Sequence, residues 1–125
     1  MLLKDFYQVV DVLQKEPQKY LALIRVNASH EVFTGHFPGN PVMPGVCMMQ
    51  IIKELTERIS GSGLMMVSIS NVKFMALINP EVNSELKLEL ELSETPEGLV
   101  KVKNTTYFQD TVALKFSGMY KKPLL

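Results

Sequence analysis

Pro44-Gly45 followed by Val46-Cys47-Met48-Met49-Gln50-Ile51-Ile52 constrains this chain more than any other stretch. The spacing predicts a helix of about 15 residues, roughly 23 Å long at the usual helical rise. In its first half apolar side chains fall on every side of the axis, with Gln50 the one amide among them. Charges begin only at Lys53 and continue to Arg58. A helix that is apolar all round is buried all round. Its N-terminal half therefore has to be wrapped by the rest of the chain, and a curved sheet does this most readily.

The segment leading into the helix, from His30 to Pro44, carries Gly35, Pro38, Gly39 and Pro41 together with both histidines of the chain. Loops of this length are uncommon in compact domains and are usually functional or disordered. Phe33, Phe37, Val42 and Met43 argue for order, since disordered segments are poor in such residues. The segment reads as an ordered loop that presents something beside a buried helix.

Around this centre the pattern is α+β. Residues 3–14 place Phe6, Val9, Val10 and Leu13 at roughly helical spacing behind Asp5, which predicts a short amphipathic helix. Residues 20–26 are rich in strand formers. Ser60-Gly61-Ser62-Gly63 stops the long helix, and residues 64–75 follow as a strongly apolar strand. After the Asn79-Pro80 turn, Leu86, Leu88, Leu90 and Leu92 alternate with Lys87, Glu89, Glu91 and Ser93. That is the period of a half-solvated antiparallel strand. Pro96-Glu97-Gly98 and Gln109-Asp110 turn the chain into further strands over 99–108 and 111–120. The order describes an antiparallel sheet curled around one helix, a single domain over 1–125 without repeats or linkers.

Composition narrows the function classes. A chain of 125 residues buries a core without staples. Its formal net charge of zero favours neither nucleic acid nor an anionic membrane surface. Eight methionines in a near-neutral chain hint that a partner covers some apolar surface. Cys47, the sole cysteine, rules out an internal disulfide and fits a reducing compartment. No leader or membrane-spanning pattern is legible, so a cytoplasmic location is the expectation. His30, His36 and Cys47 match no zinc spacing, and no metal is expected.

The run His36-Phe37-Pro38-Gly39-Asn40-Pro41-Val42-Met43-Pro44-Gly45-Val46 resembles the H-F-P-x-x-P-x-x-P-G-V signature of the (3R)-3-hydroxyacyl-ACP dehydratases. Asn71-Val72-Lys73-Phe74 with Ile78-Asn79-Pro80 is similar to their K-F-x-x-x-V-x-P segment. The resemblance covers the chain from Tyr20 onward. It implies the hotdog fold, in which an antiparallel sheet encloses a long central helix. It also implies sheet-to-sheet pairing into homodimers or larger assemblies of dimers, with each active site at the dimer interface. The implied reaction is loss of water from a 3-hydroxyacyl thioester in fatty-acid or related biosynthesis. The substrate rides on the phosphopantetheine of an acyl carrier protein, which becomes the expected partner, and the chain itself needs no cofactor. By the same resemblance His36 removes the C2 proton. The thioester carbonyl rests on backbone N–H groups around Gly45 and Val46, beside Pro44, and Phe33 and Phe37 wall or gate the site. The carbonyl's place has an independent physical basis: a helix N-terminus offers unpaired donors and a positive dipole end to an enolate oxygen. Gly45 lets a ligand approach the backbone closely.

One position departs from the pattern. Where these dehydratases carry a catalytic carboxylate on the neighbouring subunit's helix, this chain has Gln50. An amide has no proton to give at neutral pH, although it can still hydrogen-bond a hydroxyl or water. General acid–base assistance supplies about 10²- to 10⁴-fold in rate, so a homodimer should be a much weaker dehydratase than its relatives. Glu54 lies one turn further on roughly the same face, where the family often carries glutamine, and is the alternative acid. Against it, one turn displaces the carboxylate by about 6 Å, while catalysis rarely tolerates a shift of even about 1 Å.

Other residues have plainer readings. Gln50, in the apolar half of the helix, is expected to be buried and to need polar partners. His30, outside the motif, is expected to be structural or solvent-facing. Cys47 reads as core packing. Met43, Met48, Met49, Met65, Met66 and Met75 read as core, with an acyl tunnel as the alternative. Lys53, Arg58, Lys73, Lys121 and Lys122 would attract an acidic carrier protein, or merely keep the surface solvated. Four functions stay open at this point. The chain is a dehydratase with His36 as base and Gln50 orienting water, or a half-site subunit pairing with a carboxylate-bearing hotdog partner. Otherwise it is an acyl thioesterase or an acyl-binding module.

Overall fold

The computed structural model describes residues 4–123. Its elements are β1 (Tyr7–Glu16), β2 (Lys19–Val26), α1 (Val32–Gly35), α2 (Gly45–Ser60), β3 (Met65–Phe74), β4 (Glu85–Glu94), β5 (Val100–Phe108) and β6 (Thr111–Lys121). The strands form one sheet in the order β1-β2-β4-β5-β6-β3, every neighbouring pair antiparallel. The alternation expected for β4 holds: Leu86, Leu88 and Leu90 are buried while Lys87, Glu89 and Glu91 face water. The period continues across β5, where Val100, Val102, Asn104, Thr106 and Phe108 point inward. Two of these are polar, and they satisfy one another: Thr106 Oγ1 donates to Asn104 Oδ1, and Asn104 Nδ2 donates to the Glu89 carbonyl. Burial therefore costs them little.

Helix α2 packs into the concavity of this sheet. Cys47, Met48, Ile51, Ile52, Leu55 and Thr56 are its buried face. Each full-sized apolar side chain among them contributes about 1.5–3 kcal/mol through burial. The helix stops at Gly61, whose φ of +73° suits glycine, and the Gly61 and Ser62 N–H groups both donate back to the Glu57 carbonyl. An antiparallel sheet wrapped around one long helix is the hotdog fold.

The structure corrects the reading of the N-terminus. Residue 3 lies outside the described residues, residues 4–6 form a turn, and residues 7–14 of the expected helix lie instead in strand β1. The physical cause is a register shift between Val9 and Asp11, which inserts an extra residue against β2. This irregularity breaks the two-residue period and spaces Val9, Val10 and Leu13 as a helix would. Pairing with β2 decides the outcome, aided by the β-branched Val9, Val10 and Val12.

A second correction concerns what is buried. Strand β3 forms as expected but is exposed along its whole length at the sheet edge, and Met65, Met66 and Met75 are 51%, 40% and 50% exposed. These three methionines are not core, whereas Met43 and Met48 are. One face of the N-terminal half of α2 is also open. Val46 is 68% exposed, and Met49 and Gln50 are only half-buried. The all-round burial inferred for the helix is thus incomplete within one chain, and it fails at the turn that follows the proline-rich loop. No helix among the described residues is long and apolar enough to cross a membrane.

Candidate active site

The proline-rich loop is ordered by its own backbone. The short helix α1 opens it, Phe37 and Asn40 exchange N–H···O bonds of 3.0 and 2.9 Å, and Val42 N–H donates to the His36 carbonyl at 2.8 Å. Met43 N–H then ties the loop to the Ile78 carbonyl at 2.9 Å. His36 is clamped twice within this frame: its ring stacks on Phe37, and its Nδ1 lies 3.3 Å from the Val42 carbonyl. A carbonyl oxygen can only accept, so this contact places a proton on Nδ1, and in the corresponding neutral tautomer the lone pair is on Nε2.

Three residues beyond Val42 the helix begins. Pro44 occupies the N-cap and offers no side-chain acceptor. The first helical donors with backbone partners are Cys47 and Met48, both bonded to the Pro44 carbonyl, so the Gly45 and Val46 N–H groups have no backbone acceptor among the described residues. The side chains around them are apolar and open. Phe74 is 47% exposed, and a Cβ placed on Gly45 would lie 3.2 Å from its ring. Phe33 is elsewhere: it is buried in the core and stacked on Phe6, so its ring is occupied with packing rather than with the surface over Gly45.

Gln50 and Glu54 do share a helix face, and they bond to each other. Gln50 Nε2 donates to Glu54 Oε2 at 2.9 Å. Glu54 Oε1 accepts from the Tyr7 hydroxyl at 2.7 Å. Both carboxylate oxygens of Glu54 are therefore engaged within the chain. Tyr7 responds accordingly: burial first, and then the bond and charge of Glu54, push its phenol well above the ordinary value, with Arg58 opposing. Nothing in the sequence marks Tyr7, since it reaches the helix only because β1 is a strand. No hydrogen bond joins Gln50 to His36 within the chain.

The remaining candidates fall into place simply. His30 is structural, as expected. It accepts from Val32 N–H at Nδ1 and contacts the Lys4 carbonyl through Nε2, stapling α1 to the chain before β1. Cys47 is buried, and burial raises its thiol. Of the five expected cations, Lys122 pairs with Glu94, and Arg58, Lys73 and Lys121 are exposed.

Known proteins resemble this chain in sequence and in fold. The 3-hydroxyacyl-[acyl-carrier-protein] dehydratase FabZ of Ralstonia nicotianae is 32% identical over 113 residues, covering 82% of this chain and 68% of that protein. FabZ of Lactobacillus helveticus is 33% identical over 95 residues, 70% of this chain but only 63% of its own length. Among solved structures, the dehydratase heterocomplex ApeI:P from Xenorhabdus doucetiae superposes with a TM-score of 0.74 at 20% identity, covering 92% of this chain and 97% of the other. An (R)-hydratase from A. caviae gives 0.65 at 13% identity, covering 89% and 100%. The family model described as ApeI dehydratase matches residues 12–112, a span that holds the histidine loop, the whole of α2 and strands β2 to β5. The chain belongs to the ApeI-like dehydratase family.

Proposed function

We propose that this protein dehydrates 3-hydroxyacyl thioesters carried on the phosphopantetheine of an acyl carrier protein, at a site shared by two hotdog subunits. The observation that carries the reading is the pairing of a defined base with a defined anion site. His36 Nε2 is left unprotonated by the Nδ1 contact to Val42, and the free N–H groups of Gly45 and Val46 begin three residues further on. The thioester carbonyl accepts from those two N–H groups, which lowers the cost of the enolate that forms when His36 Nε2 takes the C2 proton. The electron pair then forms the C2–C3 double bond and expels the C3 hydroxyl. Phe37, Phe74 and Val46 give the acyl chain an apolar rim.

The hydroxyl leaves as water only if it gains a proton, and Gln50 from the neighbouring subunit has none to give. In a homodimer that proton comes from the His36 imidazolium or from solvent, and turnover is lower than in carboxylate-bearing relatives by about 10²- to 10⁴-fold. This supports a second reading, in which the chain is one half of a heterodimer whose partner supplies the acid. One solved neighbour of similar shape is a dehydratase heterocomplex.

Incubating the purified protein with 3-hydroxyacyl-ACP separates the cases. Slow formation of enoyl-ACP, lost in His36→Ala and accelerated in Gln50→Glu, is the expected result. No turnover until Gln50→Glu is introduced favours the half-site subunit. Release of free carrier thiol in place of enoyl product would overturn both readings in favour of a thioesterase.

A further inference from the structure

We propose that Glu54 and Tyr7 are positioning residues that hold the Gln50 side chain in one orientation, so that position 50 presents its carbonyl oxygen to the reacting hydroxyl. The inference deepens the dehydratase reading and rests on it.

The chain of contacts runs from strand to helix to site. An ionised carboxylate has acceptors only, so the Gln50 atom 2.9 Å from Glu54 has to be Nε2. That contact settles which way the amide faces. With one N–H committed to Glu54, the Gln50 Oε1 turns away from it and has no hydrogen-bond partner among the described residues. Gln50 is half-buried in the open turn of α2, so this oxygen is directed toward whatever covers that turn. An unsupported glutamine would sample both faces of its amide, presenting donor and acceptor alternately. Glu54 removes that choice.

Tyr7 in turn secures Glu54. Its hydroxyl donates to Glu54 Oε1 at 2.7 Å across a sequence separation of 47 residues. The ring comes from the first residue of β1, whose place is set by pairing with Val26 of β2. The second carboxylate oxygen therefore stays on Gln50. Tyr7 resists ionisation because it is buried and bonded to an anion, so it remains a donor across the neutral range. The arrangement makes Gln50 a fixed hydrogen-bond acceptor for the substrate's C3 hydroxyl or for the departing water, a role that an ionised carboxylate at this position would also fill. It supplies orientation without supplying a proton.

The test is a double-mutant cycle read on both turnover and the Gln50 amide. In the wild-type background, Glu54→Gln and Tyr7→Phe should each lower kcat by about 10-fold with KM little changed, because a misplaced group in contact with the reacting atoms costs rate rather than affinity. In a Gln50→Glu background the sign should reverse. Two carboxylates in contact would share a proton, and Glu54→Gln should raise kcat by restoring an acid–amide pair. A residue that merely supports the fold would act in the same direction in both backgrounds. Independently of turnover, the side-chain NH₂ resonances of Gln50, assigned by their loss in Gln50→Glu, should move in both Tyr7→Phe and Glu54→Gln. A common sign in the two backgrounds, or amide resonances that ignore both substitutions, would overturn the inference. If no variant turns over 3-hydroxyacyl-ACP, the dehydratase reading fails, and the amide resonances alone then decide whether Tyr7 and Glu54 position Gln50.

Discussion

Tyr120 is the largest fully buried side chain in the protein, and its hydroxyl has no hydrogen-bond partner among the described residues. A buried unsatisfied hydroxyl costs about 1–3 kcal/mol. Tyr120→Phe should therefore stabilise the fold by about 1 kcal/mol, a rise in Tm of about 4 °C, measurable by thermal unfolding. Burial, and after it the charge of Glu57, pushes the Tyr120 phenol from 10.0 to about 12. The folded state thus holds this proton more tightly than the unfolded chain does. Its contribution to stability is fully present below about pH 10 and is lost as pH rises through about 12. Tyr7 adds a loss of the same sign, so Tyr120→Phe should flatten the alkaline limb of a stability–pH curve without abolishing it. For Tyr7 the dominant cause is burial and the next is Glu54. In Glu54→Gln it should ionise at a lower pH than in the wild type while staying above an ordinary tyrosine, as followed by ultraviolet difference titration. An unmoved titration would mean that the Tyr7–Glu54 bond is not formed in solution.

Among the elements, β3 depends on one glycine. A Cβ on Gly118 in β6 would lie 3.0 Å from the Ser68 carbonyl and 2.9 Å from the Phe116 ring. The register shifts of β3 at Met66/Ser68 and Ile69/Asn71 lie against this same stretch. Backbone cannot yield as a flexible side chain does, so Gly118→Ala should destabilise by about 1–3 kcal/mol, seen as a lower urea midpoint. A midpoint equal to wild type would mean that β3 shifts freely on β6. The same element shows why strand type is easier to read than burial. The β-branched and apolar residues of β3 announced a strand, but whether a strand is central or at an edge depends on which neighbours it finds. Likewise β1 was hidden as a helix because a bulge shifts the period, and a bulge exists only relative to a partner strand.

At the scale of the whole molecule, the two sheet edges differ. β1 carries Asp11, Lys15 and Glu16 and is blunted by charge, whereas β3 exposes Val67, Ile69, Val72 and Phe74 with Lys73 the one charged side chain. An exposed apolar edge strand is a template for pairing with another chain. If two copies of the chain pair through β3, Val67→Lys combined with Ile69→Lys should convert that dimer to a monomer in sedimentation, and remove dehydratase turnover with it where the site spans two subunits. A double variant that remains a dimer would place the contact elsewhere.

From its sequence alone the chain specified a helix apolar through its first half, an ordered proline- and glycine-rich loop carrying a histidine at that helix's start, and a strand pattern sufficient to enclose it. These are properties of neighbours in sequence: hydrophobic period, proline and glycine stereochemistry, and a motif whose residues lie within a few positions of one another. Tertiary structure decided the rest. It made β1 a strand, left β3 at an open edge with its methionines uncovered, and set Tyr7 against Glu54 so that a residue with no signal of its own governs the side chain at position 50. Such contacts join residues far apart in the chain, and no local pattern records them, because they exist only once the sheet has closed around the helix.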